Sequence, residues 1–103
     1  MNETAAVETF QALAHGDRLA VVRALVQAGP DGLSAGEIAT AVEASPSRAS
    51  FHLSVLAEAG LVASERQARR LIYRVQFERL GALVSYLIED CCRGSEQVRA
   101  CCR

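Results

Sequence analysis

The stretch Ser45-Pro46-Ser47-Arg48-Ala49-Ser50-Phe51-His52-Leu53-Ser54-Val55-Leu56-Ala57-Glu58-Ala59-Gly60-Leu61-Val62 decides how the chain folds. Serine followed by proline is a helix start. The hydroxyl accepts from an otherwise orphaned first-turn amide, and proline at the first helical position gives up a donor that has no partner there anyway. Phe51 or His52, then Leu53, Leu56 and Ala57 recur at helical spacing. Gly60 supplies the left-handed residue that ends a helix. Leu61 to Arg66 then alternates as a strand does.

Upstream, Ser34-Ala35-Gly36-Glu37 is a capping box that opens a short helix with Ile38, Ala39 and Val42 as its buried face. Glu43-Ala44-Ser45 is the turn between the two helices. Gly29-Pro30-Asp31-Gly32 is the strongest breaker in the chain. Before it, Leu19, Val22, Leu25 and Val26 mark an amphipathic helix that runs to about Ala28, with Asp17 as N-cap or first-turn residue. Residues 3–14 form a first helix on Val7, Phe10, Leu13 and Ala14.

Downstream, Leu71 to Val75 alternates as a second strand, with Gln67-Ala68-Arg69-Arg70 as the hairpin tip. A last helix runs from about Phe77 into the 90s. Its seam is Phe77, Leu80, Leu83 or Val84, Leu87, Ile88 and Cys91, and Gly94 is its stop. The expected architecture is mostly α with a β-hairpin: four helices, a hairpin and a last helix. A helix-turn-helix followed by an arginine-rich hairpin is the winged arrangement. Its second helix suits the major groove, and its hairpin tip suits an adjacent groove or phosphates.

The chain has 103 residues, 50% hydrophobic and 22% charged, which is one small soluble domain and too apolar for disorder. No apolar run approaches the ~18 residues of a membrane span, and the amino-terminal residues lack the basic start of a signal peptide, so a cytoplasmic location is expected. Formal charge is −1, and all eleven cations are arginine. Charge is uneven: −4 over residues 1–45, +3 over 46–79 and zero over 80–103. The positive third is where a polyanion would be met.

All four cysteines fall in the last thirteen residues as two adjacent pairs, Cys91-Cys92 and Cys101-Cys102. They cannot staple a core that lies upstream of them. In a reducing compartment, clustered thiols read as a metal or metalloid site or a redox sensor. The chain divides accordingly into a DNA-binding and dimerisation domain, 1–90, and a cysteine-rich effector tail, 91–103.

Ala12-Leu13-Ala14-His15-Gly16-Asp17-Arg18-Leu19, Leu33-Ser34-Ala35-Gly36-Glu37-Ile38-Ala39 and Ser50 through Val62 resemble the ArsR/SmtB family, dimeric winged-helix repressors that release operator DNA on binding a metal ion or metalloid. The resemblance covers roughly residues 5–90. It implies a homodimer built on the first and last helices, whose apolar faces exceed what one small core needs. It also implies double-stranded operator DNA as partner, bound without a cofactor.

For DNA, Ser47, Arg48 and Ser50 are the candidates at the start of the recognition helix, with Arg48 the best guanine reader. His52 either donates to a phosphate or packs as a helix-surface histidine. Arg66, Arg69 and Arg70 of the wing would contact phosphate or the minor groove. Tyr73 is expected to pack, and Arg18 to make a structural ion pair near the helix interface.

Two sensor sites known in the family have no counterpart here. Ser34 and Gly36 lie where one uses a Cys-x-Cys pair, and the last helix has no histidine for the other. His15 and His52 belong to no ligand-spaced pair. Tyr86-Leu87-Ile88-Glu89-Asp90-Cys91-Cys92 is similar to the arsenical repressors whose vicinal cysteines end the last helix and whose third thiol comes from the tail. The implied effector is arsenite or antimonite on Cys91, Cys92 and a sulfur of Cys101 or Cys102. A second full pair departs from a three-cysteine pattern and leaves the tail ligand open.

Trivalent arsenic is soft and takes three thiolates. Adjacent helical residues lie ~100° apart, so one of Cys91 and Cys92 must leave the core face. A continuous helix would place Cys101 ~15 Å from Cys91, so Arg93-Gly94-Ser95 must reverse the chain. Arg93, Arg99 and Arg103 would favour thiolate, offset by Glu89 and Asp90. Methylarsenite on two thiols, cadmium or zinc on four, and thiol oxidation are the competing readings. An enzyme is not expected, because no phosphate-binding loop, Cys-x-x-Cys motif or acid/base constellation accompanies the thiols.

Overall fold

The Ser45 hydroxyl accepts from the Arg48 amide at 3.2 Å, and α4 (Pro46–Glu58) starts there, as the serine-proline pair requires. The computed structural model describes residues 1–101. Ahead of α4 come α1 (Glu3–Leu13), α2 (Gly16–Ala28), a single 3₁₀ turn (Gly29–Asp31), a two-residue strand β1 (Leu33–Ser34) and α3 (Ala35–Ala41). After it come β2 (Val62–Gln67), β3 (Arg70–Val75), α5 (Phe77–Ser85), which continues as a π-helical turn over Tyr86–Cys91, and α6 (Glu96–Cys101). The capping box is complete: the Glu37 amide donates to Ser34 Oγ at 3.2 Å, and the Ser34 amide donates to Glu37 Oε1 at 2.9 Å.

Leu25, Ile38, Leu53, Leu56, Leu61 and Val21 are fully buried, so α2, α3, α4 and the root of the wing close one core. The sheet has three antiparallel strands in the order β1-β3-β2, one more than the expected hairpin. β1 is too short for alternation to reveal it. It pairs Leu33 with Tyr73 and Ser34 with Ile72, which ties the wing to the start of α3. Gly32 makes that approach feasible. Its φ is +65°, and a Cβ there would sit 2.5 Å from the Tyr73 carbonyl oxygen. Tyr73 packs half-buried against the core, as expected. The β2–β3 ladder runs on to Gln67 and Arg70, so the tip is only Ala68-Arg69, tighter than the four residues expected.

Two seams differ from their periodic reading. In α2, Val21, Val22 and Leu25 are buried, while Leu19 and Val26 are exposed. In α1, Ala6, Thr9 and Ala12 face inward, and Val7 and Phe10 face out. Small residues on the inner face bring α1 close to its neighbours and leave the larger ones as an outer apolar face. Phe77 and Val84 of α5 are exposed in the same way. Burial, then the Glu3 carboxylate, pushes the Tyr86 phenol up, so the start of α1 lies beside the end of the last long helix. No helix among the described residues is long and apolar enough to cross a membrane.

Candidate nucleic-acid interface and thiol site

On α4, Ala49, His52, Leu53 and Leu56 point into the fold, which turns Ser47, Arg48, Ser50, Phe51 and Ser54 outward. The three residues expected to read DNA therefore share an open face. His52 does not join them. The residue is 4% exposed, with Nε2 3.4 Å from Asp17 Oδ2 and Nδ1 3.4 Å from Arg18 Nη1. It takes the packed role of the two weighed for it. Burial is the main cause holding its pKa below the ordinary histidine range, helped by His15 and Arg18 and opposed by Asp17.

Asp17 lies in the first turn of α2, where His15 is the N-cap and accepts from the Asp17 amide at 3.1 Å. Its carboxylate pairs with the Arg48 guanidinium, the main cause of a pKa held below the usual range. Arg18 is structural, as expected, but its partners are carbonyls rather than a carboxylate. Nε donates to the Ala12 carbonyl at 2.6 Å and Nη2 to that of Gln11 at 3.5 Å. The end of α1 exposes carbonyls that lack helical partners, and a guanidinium satisfies them in place.

Ligand-spacing logic gave the histidines no partners, yet folding brings the rings of His15 and His52 to 4.6 Å, with Asp17 beside them. Potential ligand atoms of this trio lie within 4.8 Å of one another. The hydrogen bonds make the cluster a strut rather than a cation site. Arginine only donates, so His52 Nδ1 must accept from Arg18. Nε2 then carries the proton and offers it to Asp17. A metal on Nε2 would need the opposite tautomer, with Nδ1–H facing a guanidinium.

In the wing, Arg66, Arg69 and Arg70 are all exposed. Arg70 Nη2 lies 2.6 Å from Glu37 Oε1, whereas Arg66 and Arg69 form no ion pair among the described residues. Arg74 is a root strut, with Nη1 3.1 Å from Glu65 Oε1 and Nε donating to the Pro30 carbonyl at 2.7 Å. The Ser34 hydrogen bonds, then Arg70, hold Glu37 below the ordinary carboxylate range. Arg48 and Arg70 thus carry carboxylate partners that phosphate or a base would have to displace. Both pairs are largely solvated, where such pairs are weak.

The tail begins with the π turn. The Cys92 amide donates to the Leu87 carbonyl at 2.9 Å, and the Gly94 amide to that of Ile88 at 2.6 Å. The extra residue rotates the register, so Cys91 leaves the seam and is exposed, while Cys92 turns in and is half-buried. π turns are frequent at functional sites, and no periodicity rule marks them. Arg93 and Gly94 both have positive φ, +55° and +67°, and end the helix where reversal was expected. The Arg99 guanidinium of α6 then pairs with Glu89, and its Nε donates to the Gly94 carbonyl at 3.3 Å, so the tail folds back beside the π turn.

The two vicinal thiols interact directly. Burial first, then the hydrogen bond and charge of Cys91, push the Cys92 thiol up. The expected arginine stabilisation of thiolate is therefore not realised there, and Arg99 is occupied by Glu89. Cys101, at the exposed end of α6, is not gathered with Cys91 and Cys92 into a three-ligand cluster among the described residues. Cys102 lies outside the described residues.

Residues 13–65 match the helix-turn-helix domain family. The transcriptional regulator YgaV of Escherichia coli K12 is 33% identical over 82 residues, covering 80% of this chain and 81% of YgaV. Among solved structures, the homodimeric winged helix-turn-helix DNA-binding domain Mb0332 of Mycobacterium bovis is 31% identical with a TM-score of 0.68, over 90% of this chain and 86% of that one. An ArsR-like transcriptional regulator from Rhodococcus sp. RHA1 superposes with a TM-score of 0.76 at 25% identity, over 94% and 89% of the two chains.

Proposed function

This chain belongs to the ArsR-like winged helix-turn-helix transcriptional regulators, DNA-binding proteins rather than enzymes, and from that premise we propose that it is a repressor released from its operator by trivalent arsenic. The observation that carries the reading is the vicinal pair Cys91-Cys92, of which a π turn exposes Cys91 and leaves Cys92 half-buried, followed by a tail that folds back. Arsenite or antimonite is the effector. Binding balances as As(OH)3 + 3 RSH → As(SR)3 + 3 H2O, with the thiol protons leaving in water.

The donor set fits in two of its three places. Cys91 and Cys92 are adjacent soft donors. The third thiol, from Cys101 or Cys102, must be recruited by the tail, which residues 91–103 supply. That requirement makes the site a switch. Closing the tail on the pair biases the helix end that adjoins α1. We further infer that α1 and α5 form a homodimer interface through Val7, Phe10, Phe77 and Val84, so this bias changes the spacing of the two α4 helices. A coupling of about 1–3 kcal/mol is the usual scale for such linkage. An operator-bound regulator of this kind works in the cytoplasm.

A second reading is favoured by one specific observation: only two sulfurs are together among the described residues, which suits methylarsenite, a two-thiol ligand. Near-ultraviolet absorption of arsenic–thiolate bonds separates the two. Arsenite should titrate to one equivalent per chain and lose its signal in Cys91→Ser. If Cys101→Ser and Cys102→Ser together leave arsenite binding unchanged, the three-thiolate assignment is wrong.

A further inference from the structure

We propose that Phe51 is a base-reading residue that recognises thymine through its 5-methyl group in the major groove. The inference rests on α4 binding DNA and is independent of the effector. Phe51 is 60% exposed in the middle of the recognition helix, where the periodicity of the sequence allowed either it or His52 to be the inward residue. His52 takes the inward place, so the phenyl ring is presented outward.

At ~100° per residue, Ser47, Ser50, Phe51 and Ser54 span about 100° of arc, and Arg48 lies about 60° beyond Phe51. All five are exposed. Phe51 is thus the single large apolar side chain on a face otherwise built of short hydroxyls. Short neighbours let the backbone approach closely and do not shield the ring. An edge contact between the Phe51 and His52 rings, with centroids 5.6 Å apart, braces it against the strut described above.

What covers this ring is set by the rest of the face. A second copy of the chain would bring arginine against arginine there, since Arg48 lies on the same side of α4 and the other exposed residues beside Phe51 on that helix are serines. The apolar surplus suited to self-association lies on α1 and α5 instead. A duplex suits both the charge and the ring. Its phosphates meet the arginines, and the thymine methyl is the one apolar group that an unmodified major groove displays. With Arg48 as guanine reader, one α4 would read a guanine and a thymine within a few base pairs.

The test uses an operator duplex selected from random sequence by the wild-type protein without arsenite. Each thymine is replaced in turn by deoxyuracil, which removes the methyl group and nothing else from the groove edge. Wild-type affinity should fall about fourfold at one or two positions per half-site, the loss expected for exposing one buried methyl. Phe51→Ala should weaken binding to the thymine duplex by at least that factor and be indifferent to uracil at those positions. Phe51→Leu should keep part of the discrimination. Helical circular dichroism and melting of each variant confirm that the exposed site tolerates the change. Equal wild-type affinity for all uracil duplexes overturns the assignment, and so does a Phe51→Ala protein that retains the thymine preference.

Discussion

Arg48 at the start of α4 is paired with Asp17 in the first turn of α2, so the residue proposed to read guanine is held by a carboxylate. The pair sits over the buried His52 and links the recognition helix to the helix before the turn. DNA binding must exchange this partner for a base or phosphate.

Removing the competitor should therefore help. Asp17→Asn is expected to tighten operator binding about two- to fivefold at low salt, the range in which exposed ion pairs contribute. Arg48→Ala should weaken specific binding by about 1–3 kcal/mol and relax selectivity at one base pair, with little change on random duplex. Anisotropy titrations on operator and random DNA check both. Unchanged operator affinity in both variants would remove Arg48 from the interface.

Histidine burial sets a pH window for folding. His52 is held neutral below its ordinary range in the native state, chiefly by burial, so the unfolded chain takes up the proton first. Stability is then full above about pH 6.5 and is lost as pH falls from there toward the native pKa. Asp17, Glu37 and Glu65 also have depressed pKa values and contribute in the same sense at lower pH, with stability present above the ordinary carboxylate range and lost on acidification below about pH 4. Urea unfolding at pH 8, 6.5 and 5.5 should show the first loss, and His52→Gln should flatten it.

Proton stoichiometry distinguishes arsenic from cadmium at the thiols. With Cys92 pushed up, that thiol keeps its proton near neutral pH. Arsenite carries away the thiol protons as water, so its affinity should be flat between pH 6.5 and 8. A divalent cation releases free protons and should gain about tenfold per pH unit for each thiol deprotonated. Arsenite binding as steep as cadmium binding would contradict the reaction written above.

Ala68 is the first of two residues at the wing tip and has φ +57°, the position where a tight hairpin favours glycine. Ala68→Gly is expected to stabilise the fold by roughly 0.5–1 kcal/mol, with DNA affinity unchanged because Arg66 and Arg69 stay in place. Thermal melting checks this, and a lower melting temperature would mean that the tip is unstrained.

Much of the fold was legible because its signals are local. Ser45-Pro46, the Ser34–Glu37 box and Gly60 each set a boundary through one or two hydrogen bonds, and the structure keeps them. β1 was not legible, since two residues carry no periodicity and the strand exists only through its pairing with β3. The His15, Asp17 and His52 cluster depends on contacts across more than thirty residues, which no spacing rule reads. The orientation of the cysteine pair was half legible. One thiol had to leave the seam, but a π turn decides that it is Cys91. The open place of Phe51 follows only once His52 is known to be inside.

The central claim is release of operator DNA by trivalent arsenic through the vicinal thiols. Fluorescence anisotropy of labelled operator with full-length protein, under strong reductant, tests it while arsenite is added. Arsenite should free the DNA at about one equivalent per chain, and Cys91→Ser and Cys92→Ser should stay bound at the same concentrations while binding DNA normally without arsenite. Release that persists unchanged in both variants, or wild-type protein that holds its operator in arsenite but drops it on oxidation by diamide, would contradict the account.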